Sequence, residues 1–133
     1  MAQVQFIDLE REMRADAQGF SIFPLSGRVR QPAALAQSFH LVSILPGQSR
    51  GHHLHPVHEE WLYPFHGAGV FLWEATAGRV QERAITGNRT MIQIPPGIAH
   101  AMKNPGPGVL YLMVWREPLG RPGGEPETVS RQI

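Results

Sequence analysis

Five of the seven histidines, His52, His53, His55, His58 and His66, fall within residues 47–67, beside the carboxylates Glu59 and Glu60. Imidazole nitrogen and carboxylate oxygen suit first-row divalent metals, and the chain has no cysteine to offer instead. That absence excludes disulfide scaffolds, thiolate catalysis and zinc sites built on sulfur. In an extended segment alternate side chains share a face, so His53 and His55 point one way while His52 and Leu54 point the other. The link Pro56-Val57-His58 can turn the chain so that a carboxylate on the next strand faces the same point. Strand alternation admits only one of Glu59 and Glu60, and Glu60 is the favoured one. His100 is the isolated histidine after residue 66, and it follows the rigid turn Pro95-Pro96-Gly97. Three imidazoles and one carboxylate suit Mn, Fe, Ni, Co or Zn in the divalent state.

These residues need strands to hold them, and the chain supplies strand signals. Runs of β-formers at 38–45, 59–65, 69–75, 79–85, 90–94 and 109–115 are separated by Pro-Gly, Ala77-Gly78 and Gly87-Asn88 turn signals. Shorter extended pieces are expected at 3–7, 20–25, 52–55 and 99–104. The spacing predicts an all-β sandwich or barrel of about eight strands. Asp8 can cap a short helix over 8–18, with Leu9, Met13 and Ala17 on one stripe and Gly19 at its end. Residues 26–37 read as loop. The expected organisation is an N-terminal arm over 1–37 packing on the barrel or a partner, a barrel over 38–116, and a Gly/Pro-rich tail or surface strap over 117–133.

Composition bounds the function. With 133 residues, 42% apolar and 17% charged, the chain suits one domain with a buried core. A net charge of +1 gives no sign of nucleic acid or an anionic membrane as partner. The N-terminus has no signal-peptide layout and no apolar run reaches a membrane span, so a cytoplasmic protein is expected.

At the histidine-rich stretch the chain resembles the cupins. Their first motif is matched by Gly47, five residues, His53-Leu54-His55, four residues, Glu60, six residues and Gly67. Their second is matched by Pro95-Pro96-Gly97, two residues, His100, three residues and Asn104, although the leading glycine, Gly87, stands seven residues before Pro95 instead of five. The resemblance covers residues 38–116. It implies a jelly-roll β-barrel, a divalent metal held by His53, His55, Glu60 and His100, and a single-domain protein of a kind often found as a homodimer.

A metal with open positions can act as a Lewis acid, activate water or orient a chelating substrate. The expected function is therefore a metal-dependent enzyme, an oxygenase or an isomerase/epimerase, acting on a small polar metabolite. The alternative is a non-catalytic protein that binds or senses a small molecule through a metal-assembled pocket. His40, Gln93, Met102 and Tyr111 are the side chains expected around such a pocket. His52, His58 and His66 are expected at the surface or behind the ligands.

Overall fold

The computed structural model describes residues 2–120 and 123–133. Arg121 and Pro122, within the stretch expected as a tail, lie outside the described residues. Among the described residues the strands in chain order are β1 (Gln5–Asp8), β2 (Arg14–Asp16), β3 (Gly19–Ser21), β4 (His40–Ile44), β5 (Ser49–Leu54), β6 (His58–His66), β7 (Ala68–Thr76), β8 (Arg79–Thr86), β9 (Thr90–Ile94), β10 (His100–Lys103), β11 (Leu110–Pro118) and β12 (Val129–Ser130), with one α-helix, α1 (Pro32–Ser38). Two five-stranded sheets, in the orders β1-β9-β6-β11-β4 and β12-β5-β10-β7-β8, face each other, and β2 pairs with β3 as a separate hairpin. The architecture is an all-β jelly roll of the cupin type. Among the described residues no helix is long and apolar enough to cross a membrane.

The two faces of β6 explain the architecture. Its residues 59–64 are all buried, whereas a strand with one wet face would alternate. Leu62 points into the barrel and packs with Ile44, Phe71, Ile92, Leu110, Leu112 and Val114. Trp61 and Tyr63 point outward, where Leu9, Ile22, Leu25 and Leu35 of the N-terminal segment cover them together with Trp115. Trp61 and Trp115 stack at 5.6 Å between ring centroids. Each fully buried apolar side chain of this kind contributes roughly 2 kcal/mol, so both layers hold the sheet. Pro64 lies beyond the β9 pairing, which ends at Leu62, so the missing N–H costs no ladder bond on that side.

The N-terminal segment departs from the local reading. Residues 8–18 do not form a helix: a single 3-10 turn spans Glu10–Glu12 and the β2–β3 hairpin follows. The side chains of Asp8 and Asp16 accept the N–H groups of Glu10 and Gln18, turns that compete with helix. Only Leu9 of the supposed stripe is fully buried, and Ala17 is exposed. The helix lies instead at α1, inside the segment read as loop, with Pro32 in its first turn where a missing N–H is harmless. The strand expected over 20–25 is confined to β3.

Candidate metal centre

Three strands and the turn after β5 deliver the sequence-predicted residues to one point. His100 opens β10 and lies directly opposite His53 of β5. The next pair is Ala101 with Gly51, so His52 has no partner on β10 and forms a bulge with φ 55°. Gly51 must be glycine: its φ is 98°, and a Cβ there would meet the His100 carbonyl oxygen at 2.9 Å. His55 follows β5, and its carbonyl accepts the N–H of Gly97, which ties the Pro-Pro-Gly turn to the end of β5. Glu60 sits on the inner face of β6, opposite Arg116 of β11. Asn104 is structural. Its side-chain amide donates to the carbonyls of Ile44 and Gly108, and its Oδ1 accepts the N–H of Gly106.

His53, His55, Glu60 and His100 each offer a ligand atom, and these atoms lie within 4.8 Å of one another. Two metal–ligand bonds of about 2.1 Å put opposed donors about 4.2 Å apart, so a modest inward closure suffices. His53 is half-buried, and the other three are nearly inaccessible. Glu60 Oε1 lies 2.7 Å from His100 Nε2, and Oε2 lies 3.0 Å from His55 Nε2 and accepts from Arg116 Nη1 at 3.3 Å.

The other imidazole nitrogens fix what these contacts mean. Nδ1 of His100 lies 2.9 Å from the Ile98 carbonyl, and Nδ1 of His55 lies 3.1 Å from the Glu127 carbonyl. A carbonyl can only accept, so each Nδ1 carries the hydrogen and each neutral ring aims its Nε2 lone pair at the same carboxylate. Lone pairs on three sides of one point need a cation between them, either added protons or a metal. His55 Nε2 has no hydrogen-bond partner among the described residues, because its 3.0 Å approach to Glu60 is misaligned. A ring pinned by a carbonyl with its free lone pair facing a buried carboxylate is the usual arrangement behind a metal-binding histidine. The donor set fits a divalent first-row ion.

Burial pushes the His53 imidazole down to about 4, helped by any proton held between His100 and Glu60 and opposed by the Glu60 carboxylate, so near neutral pH it is an uncharged nitrogen donor. Burial by itself raises the Glu60 carboxyl. The contacts with His100 and His55, with a proton between each ring and the carboxylate, outweigh it and hold Glu60 well below the usual carboxylate range.

The remaining histidines separate from the cluster. His52 faces Ser49 Oγ at 3.2 Å and the Ile133 N–H at 3.4 Å, which fastens the C-terminal segment. His58 is half-buried, 4.0 Å from Glu127, and His66 is exposed beside Tyr111. Glu59 points to the outer face, hydrogen-bonded by Gln93 and 3.6 Å from Arg30. Of the side chains expected around a pocket, His40 and Met102 line a cavity of about 200 Å³ that reaches His53 and Glu60. Gln93 and Tyr111 do not: strand alternation turns both away from the barrel interior.

Sequence reading missed Arg116 and the carbonyl of Glu127. Arg116 had a signal: Leu110, Leu112, Val114 and Arg116 share one face of β11, and the charge ends that apolar series. The Glu127 carbonyl had none, because every residue carries one.

The fold and the four-residue cluster define a cupin-type barrel with a candidate metal centre. By sequence the chain belongs to the polysaccharide biosynthesis C-terminal domain family, whose profile matches residues 25–126. A sequence search among curated proteins gives no match. In structure the chain is similar to the sugar 3,4-ketoisomerase QdtA of Thermoanaerobacterium thermosaccharolyticum in complex with TDP, with a TM-score of 0.72 and 15% identity over 97% of this chain and 88% of that one. The 4-keto-6-deoxy sugar epimerase NovW of Streptomyces spheroides gives 0.66 and 18% over 90% and 66%. The capsular polysaccharide assembling protein CapF of Staphylococcus aureus gives 0.61 and 21% over 71% of this chain. The chain spans only 28% of CapF, which has also been solved with the inhibitor 3-isopropenyl-tropolone. At these identities the likeness is one of fold.

Proposed function

We propose that this chain is a metal-dependent isomerase- or epimerase-type enzyme acting on a small, carbonyl-bearing sugar derivative. The observation that carries the reading is the pinned geometry around Glu60, with His55 and His100 each held at Nδ1 by a carbonyl and facing the carboxylate with Nε2. His53, His55, Glu60 and His100 would hold the ion. When bound, it supplies a Lewis acid that polarises a carbonyl and stabilises developing negative charge. The chain's own residues orient the ligand and shield it: apolar Val42, Leu112 and Val114 line the cavity, and Arg50 and Arg116 add positive charge at its rim.

The structural neighbours support isomerisation over oxygenation, because two are named as sugar ketoisomerase and epimerase. The tropolone bound to CapF supports a chelated carbonyl, since tropolones carry a hydroxyl beside a ketone. We also propose a homodimer, because β4 is a sheet edge and its Leu41 is 63% exposed.

The test is reconstitution with Fe(II), Mn(II), Ni(II) and Zn(II), followed by tropolone titration and a panel of keto and aldehyde sugars, free and nucleotide-linked. Metal-dependent tropolone binding with turnover of a panel member is the expected result. Binding without any turnover points to the non-catalytic module, and failure to retain any metal overturns the reading.

A further inference from the structure

Chemistry at a carbonyl needs a group that takes a proton from carbon, and the four clustered residues are committed to one another. Arg50 and Arg116 line the cavity but stay charged. Among the described lining residues outside the cluster, His40 is the one that brings an imidazole, with a nitrogen that can accept a proton and return it.

Its position is set by the strand. His40, Val42 and Ile44 share the inner face of β4, with His40 at the open end and Ile44 buried in the core. His40 lies opposite Val114 of β11, and Val114 lies opposite Leu62 of β6, two residues from Glu60. Two strand spacings and two residues of rise put the Cα atoms of His40 and Glu60 roughly 12 Å apart, with both side chains directed inward. That leaves a gap for a small ligand between them. The cavity of about 200 Å³ has the volume of roughly seven waters, enough for a short-chain polar molecule.

Its tautomer is set as well. Nδ1 of His40 lies 2.7 Å from the Ser38 carbonyl, so it carries the hydrogen, and the neutral ring keeps its Nε2 lone pair free. Ser38 is itself anchored: its hydroxyl donates to the Arg116 carbonyl at 2.9 Å and accepts the Arg116 N–H at 2.9 Å. The carbonyl that orients His40 is thus fixed to the strand that presents Arg116 to Glu60.

We infer that His40 is the general base of this cavity. The inference rests on the function proposed above. Nε2 takes the proton from the carbon beside the substrate carbonyl, and the electron pair of the broken C–H bond moves to the carbonyl oxygen as an enolate. The new Nε2–H then returns the proton to carbon, so nothing is oxidised overall. Arg116 and Arg50 favour the negative charge of the enolate.

The experiment uses zinc-reconstituted protein with dihydroxyacetone in D2O, following loss of the carbon-bound hydrogens by proton NMR. His40→Gln is expected to slow exchange by about 100-fold or more while leaving zinc content and tropolone affinity unchanged. In metal-free protein at mildly alkaline pH, nitrogen-15 NMR is expected to show His40 as the Nδ1–H tautomer. Exchange by His40→Gln within about threefold of wild type overturns the role of His40 and leaves the metal reading standing. The Nε2–H tautomer also overturns it. A wild type that binds tropolone but exchanges nothing overturns the base, and one that neither binds tropolone nor exchanges overturns the parent reading with it.

Discussion

His100 lies directly opposite His53 across the β5–β10 ladder, with ring centroids 4.9 Å apart. This one pairing joins the two halves of the site, since His53, His55 and Glu60 come from one stretch and His100 from forty residues beyond Glu60. It follows that His100→Ala should weaken metal affinity by more than the roughly 100-fold seen when only a supporting residue is lost. His58→Ala should leave bound metal close to wild type, because His58 stands outside the cluster. Glu60→Gln should behave as His100→Ala does, and Glu59→Gln as His58→Ala. Metal per chain after dialysis, measured by elemental analysis, checks all four.

The pairing also depends on a residue with no side chain. Gly51→Ala places a Cβ 2.9 Å from the His100 carbonyl in a backbone with φ 98°. Strain of this kind costs of order 1–3 kcal/mol, so the urea midpoint should fall, and metal retention with it. Gly78→Ala provides a contrast: its φ is also positive, but nothing lies within 4 Å of the added Cβ. Its stability loss should be smaller, and metal retention should be unchanged.

How much of this was legible in the sequence divides along physical lines. Alternation in extended chain grouped His53 with His55 and admitted only one of Glu59 and Glu60, and the six-residue spacing to Gly67 favoured Glu60. The bulge at His52 was not legible, because positive φ is usually marked by glycine or asparagine and here falls on histidine. Residues 8–18 carried a helical stripe, but the outer face of β6 claims Leu9 alone and two Asx turns take the backbone elsewhere. Gln93 and Tyr111 were misplaced because their strands had been located without their register, and one residue of register decides which face a side chain occupies. The four-residue cluster was readable as side chains, whereas the carbonyls that orient it were not.

In metal-free protein, His53 should make stability depend on pH. Its folded value, about 4, lies below the ordinary imidazole value of 6.5. Between these values the unfolded chain binds the proton and the folded chain does not, so stability rises with pH across the window. The contribution is present in full above 6.5 and is lost as pH falls towards 4. Urea unfolding in the presence of a chelator should therefore show a steeper fall over this range for wild type than for His53→Gln. Added metal should compete with the same protons, so metal affinity should also drop on acidification.

The edge of the first sheet offers a separate test. Leu41 is 63% exposed and Tyr111 is 41% exposed, on adjacent strands β4 and β11. If this edge joins two copies, Leu41→Arg should halve the mass measured by light scattering while leaving the circular dichroism spectrum unchanged. A wild-type protein that is monomeric across the concentration range removes the dimer.

The C-terminal segment should matter to the metal although it supplies no ligand. β12 pairs with β5, Val129 opposite Leu54 and Ser130 opposite His53. Just before it, the Glu127 carbonyl and Thr128 Oγ1 lie 3.1 and 3.2 Å from His55 Nδ1. Arg131 pairs with Glu74 at 2.8 Å, fastening the segment to β7. Deleting residues 126–133 removes the acceptor that fixes the His55 tautomer and opens one edge of the second sheet. The barrel core contains none of these residues, so the shortened protein should still fold. Loss of an orienting partner weakens metal binding by about 10–100-fold, and that is the expected change in affinity. Thr128→Val leaves the carbonyl in place and should have a much smaller effect. Equal losses in the two variants would mean that the hydroxyl, rather than the carbonyl, orients His55.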